Sequence, residues 1–268
     1  MNQLKKMLFR AYVFYEAHMP IHKGKFFLGR LLYKMFGLAL FTVEDFNIEL
    51  NPVATFDRAI MTGRQHGDIA GVAGELDKLK HGEAFLDVGA NIGYFSLFAA
   101  SRGIEVFAFE PSPREIKRMR RNMQLSNFSN ITLFEQGLSD KPEMLSLRLG
   151  MDYNPGQNSV IDYEESVESV QCRFAPLSSF ITPEQAQRVR LCKIDVEGFE
   201  IFVLRGMEEY MPYMGRATFV VEITPRYFRR AGYTIQDVYN FFAKYGYTAR
   251  NGLDANMKRY DEVFAPQR

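Results

Sequence analysis

The chain reads as an α/β protein built on a doubly wound parallel sheet. Short apolar runs at residues 84–88, 104–109 and 131–134 alternate with helical segments at 92–101 and 113–126. Runs of this length, without polar alternation, suit parallel strands buried on both faces. Their order is that of a repeated βαβ unit. The pattern resumes with strands at 189–196 and 218–223 and helices at 199–207 and 235–244. Residues 247–250 and 262–265 predict two closing antiparallel strands.

The flanking segments depart from this rhythm. Within 141–182, residues 144–149 and 167–174 predict a β-hairpin around the loop 152–159, inserted at the sheet's edge. The first forty residues predict helices broken at Pro20 and near Gly24. Residues 46–60 alternate weakly and predict two short strands around Asn51 and Pro52; a polar turn at 62–68 then leads into a helix over 69–80. This divides the chain into an N-terminal helical extension, 1–50, and a main domain, 51–268.

Composition narrows the function classes. Of 268 residues, 47% are hydrophobic and 24% charged, the balance of an ordinary globular protein. A net charge of +1 lacks the basic excess of a general nucleic-acid binder, so no nucleic-acid partner is expected. Cys172 and Cys192 are too few for a disulfide framework, and His18, His22, His66 and His81 are scattered, so no metal site is assigned. The expectation is a reducing, cytoplasmic location. Charges at Arg10, Glu16, Lys23, Lys25, Arg30 and Lys34 interrupt the N-terminal apolar runs, leaving nothing near the roughly 20 apolar residues that span a bilayer. No signal-peptide pattern precedes them. The basic, aromatic extension suits packing on the main domain, or contact with a membrane surface or a partner.

The chemistry concentrates at strand ends. Asp87-Val88-Gly89-Ala90-Asn91-Ile92-Gly93 lies between a strand and a helix. Gly89 and Gly93 let the backbone turn tightly and approach a ligand where a Cβ would clash. The spacing is not the G-x-G-x-x-G of dinucleotide enzymes, which seat a pyrophosphate on the helix N-terminus. An acid at position 87 instead suits the ammonium of a methionine moiety. Glu110 ends the next strand, where a carboxylate can accept hydrogen bonds from both ribose hydroxyls. Gly137 permits close approach to a base whose edge the Leu138 amide could read, and Asp140 reads as a turn residue. Lys193, Asp195 and Glu197 share one face of an extended segment by the period of two, and Glu222 ends the following strand. Such converging carboxylates can orient a hydroxyl, hold a metal or supply a general base.

These elements together carry a resemblance. FLDVGANIGYFSLFAA, FAFEPSP, QGLSD, LCKIDVEGFEIFVLRG and FVVEITP, in this order over residues 60–225, are similar to the FkbM family of methyltransferases. The resemblance implies a class I methyltransferase Rossmann-like sheet, S-adenosylmethionine as donor, and oxygen methylation of a sugar, glycan or secondary metabolite. It implies that Asp87, Gly89, Asn91, Gly93 and Glu110 bind the donor, with Ala90, Gly137 and Leu138 beside them from the reading above. Asp195 and Glu197 would lie next to the transferred methyl. Leu177 to Phe180 stand where relatives often carry an acid.

On this reading Asp195 is the general base, with Glu197 and Glu222 holding the acceptor or tuning the base; His66 is an outside candidate. The aromatic insertion (Tyr153, Tyr163, Phe174) and the segment 226–230 are expected to shape the acceptor pocket. Two competing readings are a non-catalytic nucleotide-binding module of the same fold and a nicotinamide-dependent oxidoreductase. The carboxylate rim argues against the first, the glycine spacing and Asp87 against the second.

Overall fold

The computed structural model describes residues 3–18, 24–63, 67–150, 158–161, 168–253 and 258–267. The N-terminal part forms α1 (Gln3–His18), α2 (Lys25–Phe36), β1 (Ala39–Val43), β2 (Phe46–Leu50), α3 (Thr55–Thr62) and α4 (Gly67–Leu76). There follow β3 (Ala84–Val88), α5 (Tyr94–Ser101), β4 (Glu105–Phe109), α6 (Pro113–Ser126), β5 (Ile131–Phe134), β6 (Gly137–Leu138), β7 (Glu143–Leu149) and β8 (Glu168–Ala175). The last third holds α7 (Pro183–Arg188), β9 (Val189–Ile194), α8 (Glu200–Gly206), β10 (Thr218–Ile223), α9 (Pro225–Arg230), α10 (Ile235–Lys244), β11 (Tyr247–Ala249) and β12 (Tyr260–Pro266).

Seven strands make the main sheet, in the order β11-β12-β10-β9-β3-β4-β5. β5, β4, β3, β9 and β10 run parallel, and β12 lies antiparallel to both β10 and β11. The chain moves outward from β3 to β5, then returns to pair β9 against β3. That reversal opens a crevice at the carboxyl ends of β3 and β9, where open α/β sheets bind ligands.

Strand alternation divides the core into two layers. Leu86, Val88, Phe107, Phe109, Phe219 and Val221 face one side, under Val203 and Leu204 of α8 and Val238 and Phe242 of α10. Phe85, Val106, Ala108 and Val220 face the other, under Leu97 and Phe98 of α5. Both faces being covered explains why these strands read as unbroken apolar runs. Each such buried side chain contributes roughly 1.5–3 kcal/mol of transfer free energy.

Four expectations change. The extension is not wholly helical: β1 and β2 pair antiparallel through a turn at Glu44, whose φ is 47°. The second strand expected near Pro52 is instead α3, because Asp57 in its first turn accepts the Asn51 N–H at 2.6 Å and closes the chain into a helix. The predicted hairpin forms, with β7 antiparallel to β8, but it does not extend the main sheet. β6 pairs with β8 to make a separate three-stranded sheet, and the Phe174 ring lies where a side chain at Gly137 would stand. Finally, α5 starts at Tyr94 rather than 92, since Asn91 and Gly93 both hold left-handed backbone.

The boundary at residue 50 does not separate two cores. Phe9, Tyr12, Leu32, Ile48 and Leu50 belong to the same apolar layer as Phe85, Leu97 and Val106. Polar side chains of α6 hold the hairpin edge: Glu49 N donates to Asn122 Oδ1 and Asn47 N to Ser126 Oγ. Among the described residues no helix is long and apolar enough to cross a membrane.

Gly29 is where α1, α2 and the loop after β2 meet. A Cβ there would stand 2.5 Å from Pro52 O and 2.7 Å from Tyr12 Oη. Alanine would gain about 1 kcal/mol of helix propensity, but crowding a packed site costs about 1–3 kcal/mol, and here the obstacle is backbone. Gly29→Ala is therefore expected to lower stability by about 1 kcal/mol in urea denaturation. A variant as stable as the parent would show that this junction yields freely.

Candidate active site

Backbone geometry at the crevice follows from the turn after β3. Gly89 has φ 80°, and a Cβ on it would stand 1.9 Å from the carbonyl oxygen of Asp195. Only glycine lets the loops after β3 and β9 pass so closely. The turn is pinned on both sides: Gly89 and Ala90 donate to Phe109 O, and Asp195 N donates to Val88 O. Gly93 serves packing instead; a Cβ there would meet the Met119 side chain of α6 at 2.8 Å, and Gly93 does not line the cleft.

The resulting cleft has a volume of about 1040 Å³ including its open mouth. Gly89, Ala90, Asn91, Glu110, Gly137 and Leu138 line it, together with Lys193, Asp195, Glu197 and Arg259. Phe109 and Phe174 add apolar wall. Most of the sequence-predicted residues thus meet in one space, drawn from strands far apart in the chain.

Glu110 is held from behind and open in front. Its Oε2 accepts the Asn91 N–H at 2.8 Å and its Oε1 the Ser112 N–H at 2.9 Å. A carboxylate has further lone pairs on each oxygen. Burial pushes its pKa up to about 7, against the pull of those backbone donors.

Asp87 is placed differently from expectation. It has no exposed surface, and its Oδ2 accepts the Ser96 hydroxyl at 2.6 Å. It does not line the cleft. Its Oδ1 lies 3.8 Å from Lys193 Nζ instead, and burial raises its pKa while Lys193 opposes the rise. Lys193 Nζ in turn donates to Gly89 O at 3.1 Å and lies 3.3 Å from Asp195 Oδ2. Burial disfavours the ammonium, but Asp195 and Asp87 outweigh it and raise its pKa. Asp195 is the more exposed member, its side chain 34% accessible and facing the cleft.

The sequence placed Lys193, Asp195 and Glu197 on one extended face. β9 in fact ends at Ile194, and Glu197 takes a left-handed φ of 52°. The turn still brings the acids together: Asp195, Glu197 and Glu222 offer oxygens within 4.8 Å of one another. Glu222 is nearly fully buried and does not itself line the cleft. Such a trio could accept a divalent cation, yet the Arg259 guanidinium already supplies positive charge there, paired with Glu222 and 3.9 Å from Glu197 Oε1. Burial and the neighbouring Asp195 push Glu197 up to about 8, with Arg259 opposing; the same causes raise Glu222 well above the carboxylate range. Arg259 escaped the sequence reading because β12 brings it in from the far end of the chain.

Glu200 belongs to the scaffold beneath. It is fully buried at the start of α8; its Oε1 accepts the N–H groups of Val196 and Gly198, and its Oε2 the Tyr233 hydroxyl. Residues 226–230 form most of α9 and contribute no lining residue. His66, Tyr153 and Tyr163 lie outside the described residues.

A parallel sheet with this reversal and an acid behind each of its first two strand tips is the class I methyltransferase architecture, whose methyl donor is S-adenosylmethionine. The family model described as "Methyltransferase FkbM domain" matches residues 87–249. The chain belongs to the FkbM methyltransferase family. It is 28% identical over 192 residues to Methyltransferase 1 of Beauveria bassiana, covering 62% of this chain and 74% of that one. It is 27% identical to the 31-O-demethyl-FK506 methyltransferase FkbM of Streptomyces tacrolimicus, over 49% and 62% of the two chains. With the hexuronic acid methyltransferase AglP of Haloferax volcanii it shares 26% identity, over 49% and 53%. Among solved structures it is similar to a putative methyltransferase from Streptococcus mutans in complex with SAH, with a TM-score of 0.48, 9% identity, and 75% and 98% of the chains covered.

Buried Glu200 gives a pH test. Its pKa rises to about 7, burial being the main cause. Between the ordinary value of 4.5 and about 7 the folded state keeps a proton that the unfolded chain releases, so stability falls as pH rises through that window. Glu200→Gln keeps the acceptor oxygen and removes the titration. Urea denaturation across the window should show the parent losing about 2–3 kcal/mol more than the variant; equal losses would place the titration elsewhere.

Proposed function

We propose that this methyltransferase transfers the methyl group to a hydroxyl oxygen of a small sugar-like, glycan or secondary-metabolite acceptor, with Asp195 as general base. The observation that carries this reading is the position of Asp195. It is a carboxylate in the wall of the cleft that Glu110 also lines, 3.3 Å from Lys193 Nζ and with its oxygens within 4.8 Å of those of Glu197 and Glu222. Relatives named for 31-O-demethyl-FK506 and for a hexuronic acid support an oxygen acceptor of this kind. The net charge of +1 supports a small or glycan acceptor over a nucleic acid.

The residues suit the donor's parts. Glu110 would take the ribose hydroxyls on its remaining lone pairs. Gly89, Ala90 and Asn91 give backbone room along the chain of the nucleoside, and Gly137 and Leu138 flank the base beside the Phe174 wall. Asp87 acts one layer back, fixing Lys193, which fixes both Gly89 and Asp195. When bound, the donor supplies an electrophilic methyl on a sulfonium that leaves as a neutral thioether. As the acceptor oxygen attacks the methyl carbon, Asp195 takes the hydroxyl proton. Glu197, with Arg259 beside it, holds the acceptor side, and buried Glu222 tunes Asp195 and Arg259 from behind the cleft. Positioning of this sort lowers a barrier by about 7–11 kcal/mol at best, and the base adds roughly 10²–10⁴-fold.

Two variants test the assignment. Asp195→Asn should lower turnover by about 10²–10⁴-fold while calorimetric affinity for the donor stays within about twofold. Glu110→Ala should instead weaken donor binding by roughly tenfold or more. Full turnover in Asp195→Asn refutes the base; a parent that binds the donor but transfers to no hydroxyl acceptor favours the binding-module reading.

A further inference from the structure

Two helices of the extension carry a surface that the methyl-transfer chemistry does not use. Of the twelve large hydrophobic side chains exposed among the described residues, eight lie on α1 and α2. Phe27 is 72% exposed and Phe14 63%. The pattern is periodic. Met7 and Phe14 stand two turns apart on α1, and Phe27, Leu31 and Met35 follow i, i+4, i+8 on α2, so each helix shows water an apolar stripe. The inner faces are already occupied: Phe9, Tyr12 and Leu32 fill the core, and α1 packs on α2 and α3.

Charge selects the occupant. The exposed ionised residues between these stripes, Lys6, Arg10, Arg30 and Lys34, are all basic. The one acid of the two helices, Glu16, is buried and meets Tyr12, Lys25 and Arg58. Apolar stripes interleaved only with cations fit an interface of acyl chains beneath anionic headgroups. α1 and α2 are 16 and 12 residues long, too short to span. We propose that α1 and α2 form a peripheral docking face that lies on an anionic bilayer. α3, against which α1 packs, also supplies Phe56 to the cleft wall, so this face is one helix from the catalytic crevice.

The test uses the full chain and vesicles of phosphatidylcholine, with or without phosphatidylglycerol. In co-sedimentation, the protein should bind the mixed vesicles at least about tenfold more tightly than neutral ones, and added salt should reduce the difference. Arg30→Gln with Lys34→Gln should remove the preference; Phe27→Ser with Met35→Ser should weaken binding to both vesicles. Donor affinity should be unchanged in every variant, which separates this face from the catalytic reading. Absence of vesicle binding, equal binding to both compositions, or variants that bind as the parent does would overturn the proposal. So would light scattering showing a dimer that the Phe27 and Met35 substitutions dissociate.

Discussion

The site rests on one buried ammonium. Lys193 sits at the seam of β3 and β9, beside Asp87, Asp195 and the carbonyl of Gly89. A carboxylate with no exposed surface, such as Asp87, persists only beside a cation or as the neutral acid. A buried ammonium has the same need in reverse. Each satisfies the other, and the geometry that does so fixes the two loops that bound the cleft. Removing one partner would strand the rest, a loss of about 3–5 kcal/mol for a buried pair. The placement of Asp195 is thus tied to the folding of the switch point itself.

Around that seam the acids are handled in two ways. Glu110 and Glu200 are each met by backbone N–H groups, which cost the chain nothing in side-chain entropy and hold the oxygens in fixed directions. Glu197 and Glu222 rely on Arg259, which is half-exposed and joins from the segment before β12. The first pair belongs to loops made early in the chain's own neighbourhood. The second is complete only once the antiparallel strand β12 has docked on β10. The Glu197 and Glu222 side of the cleft therefore depends on β12 being in place.

Much of this was legible in the sequence, for a physical reason. A parallel strand covered on both faces has to be largely apolar, so β3, β4 and β10 stand out as runs. Tight turns leave glycine at their bends, so the loop after β3 does too. Residues whose role depends on neighbours distant in the chain were less visible. The position of Asp87 on a strand tip is local information, whereas its burial and its pairing with Ser96 and Lys193 depend on how the chain folds around it. α3 looked like a strand because its helical character begins with the Asn51–Asp57 hydrogen bond, and β6 is two residues long and exists through its pairing with β8.

The family match begins at Asp87, yet Ile48, Leu50 and Leu76 already fill one side of the sheet it describes. Homology and cohesion therefore draw their borders in different places. A fragment trimmed to the matched block would lose Ile48, Leu50 and Leu76 from that layer and present more of its interior to water.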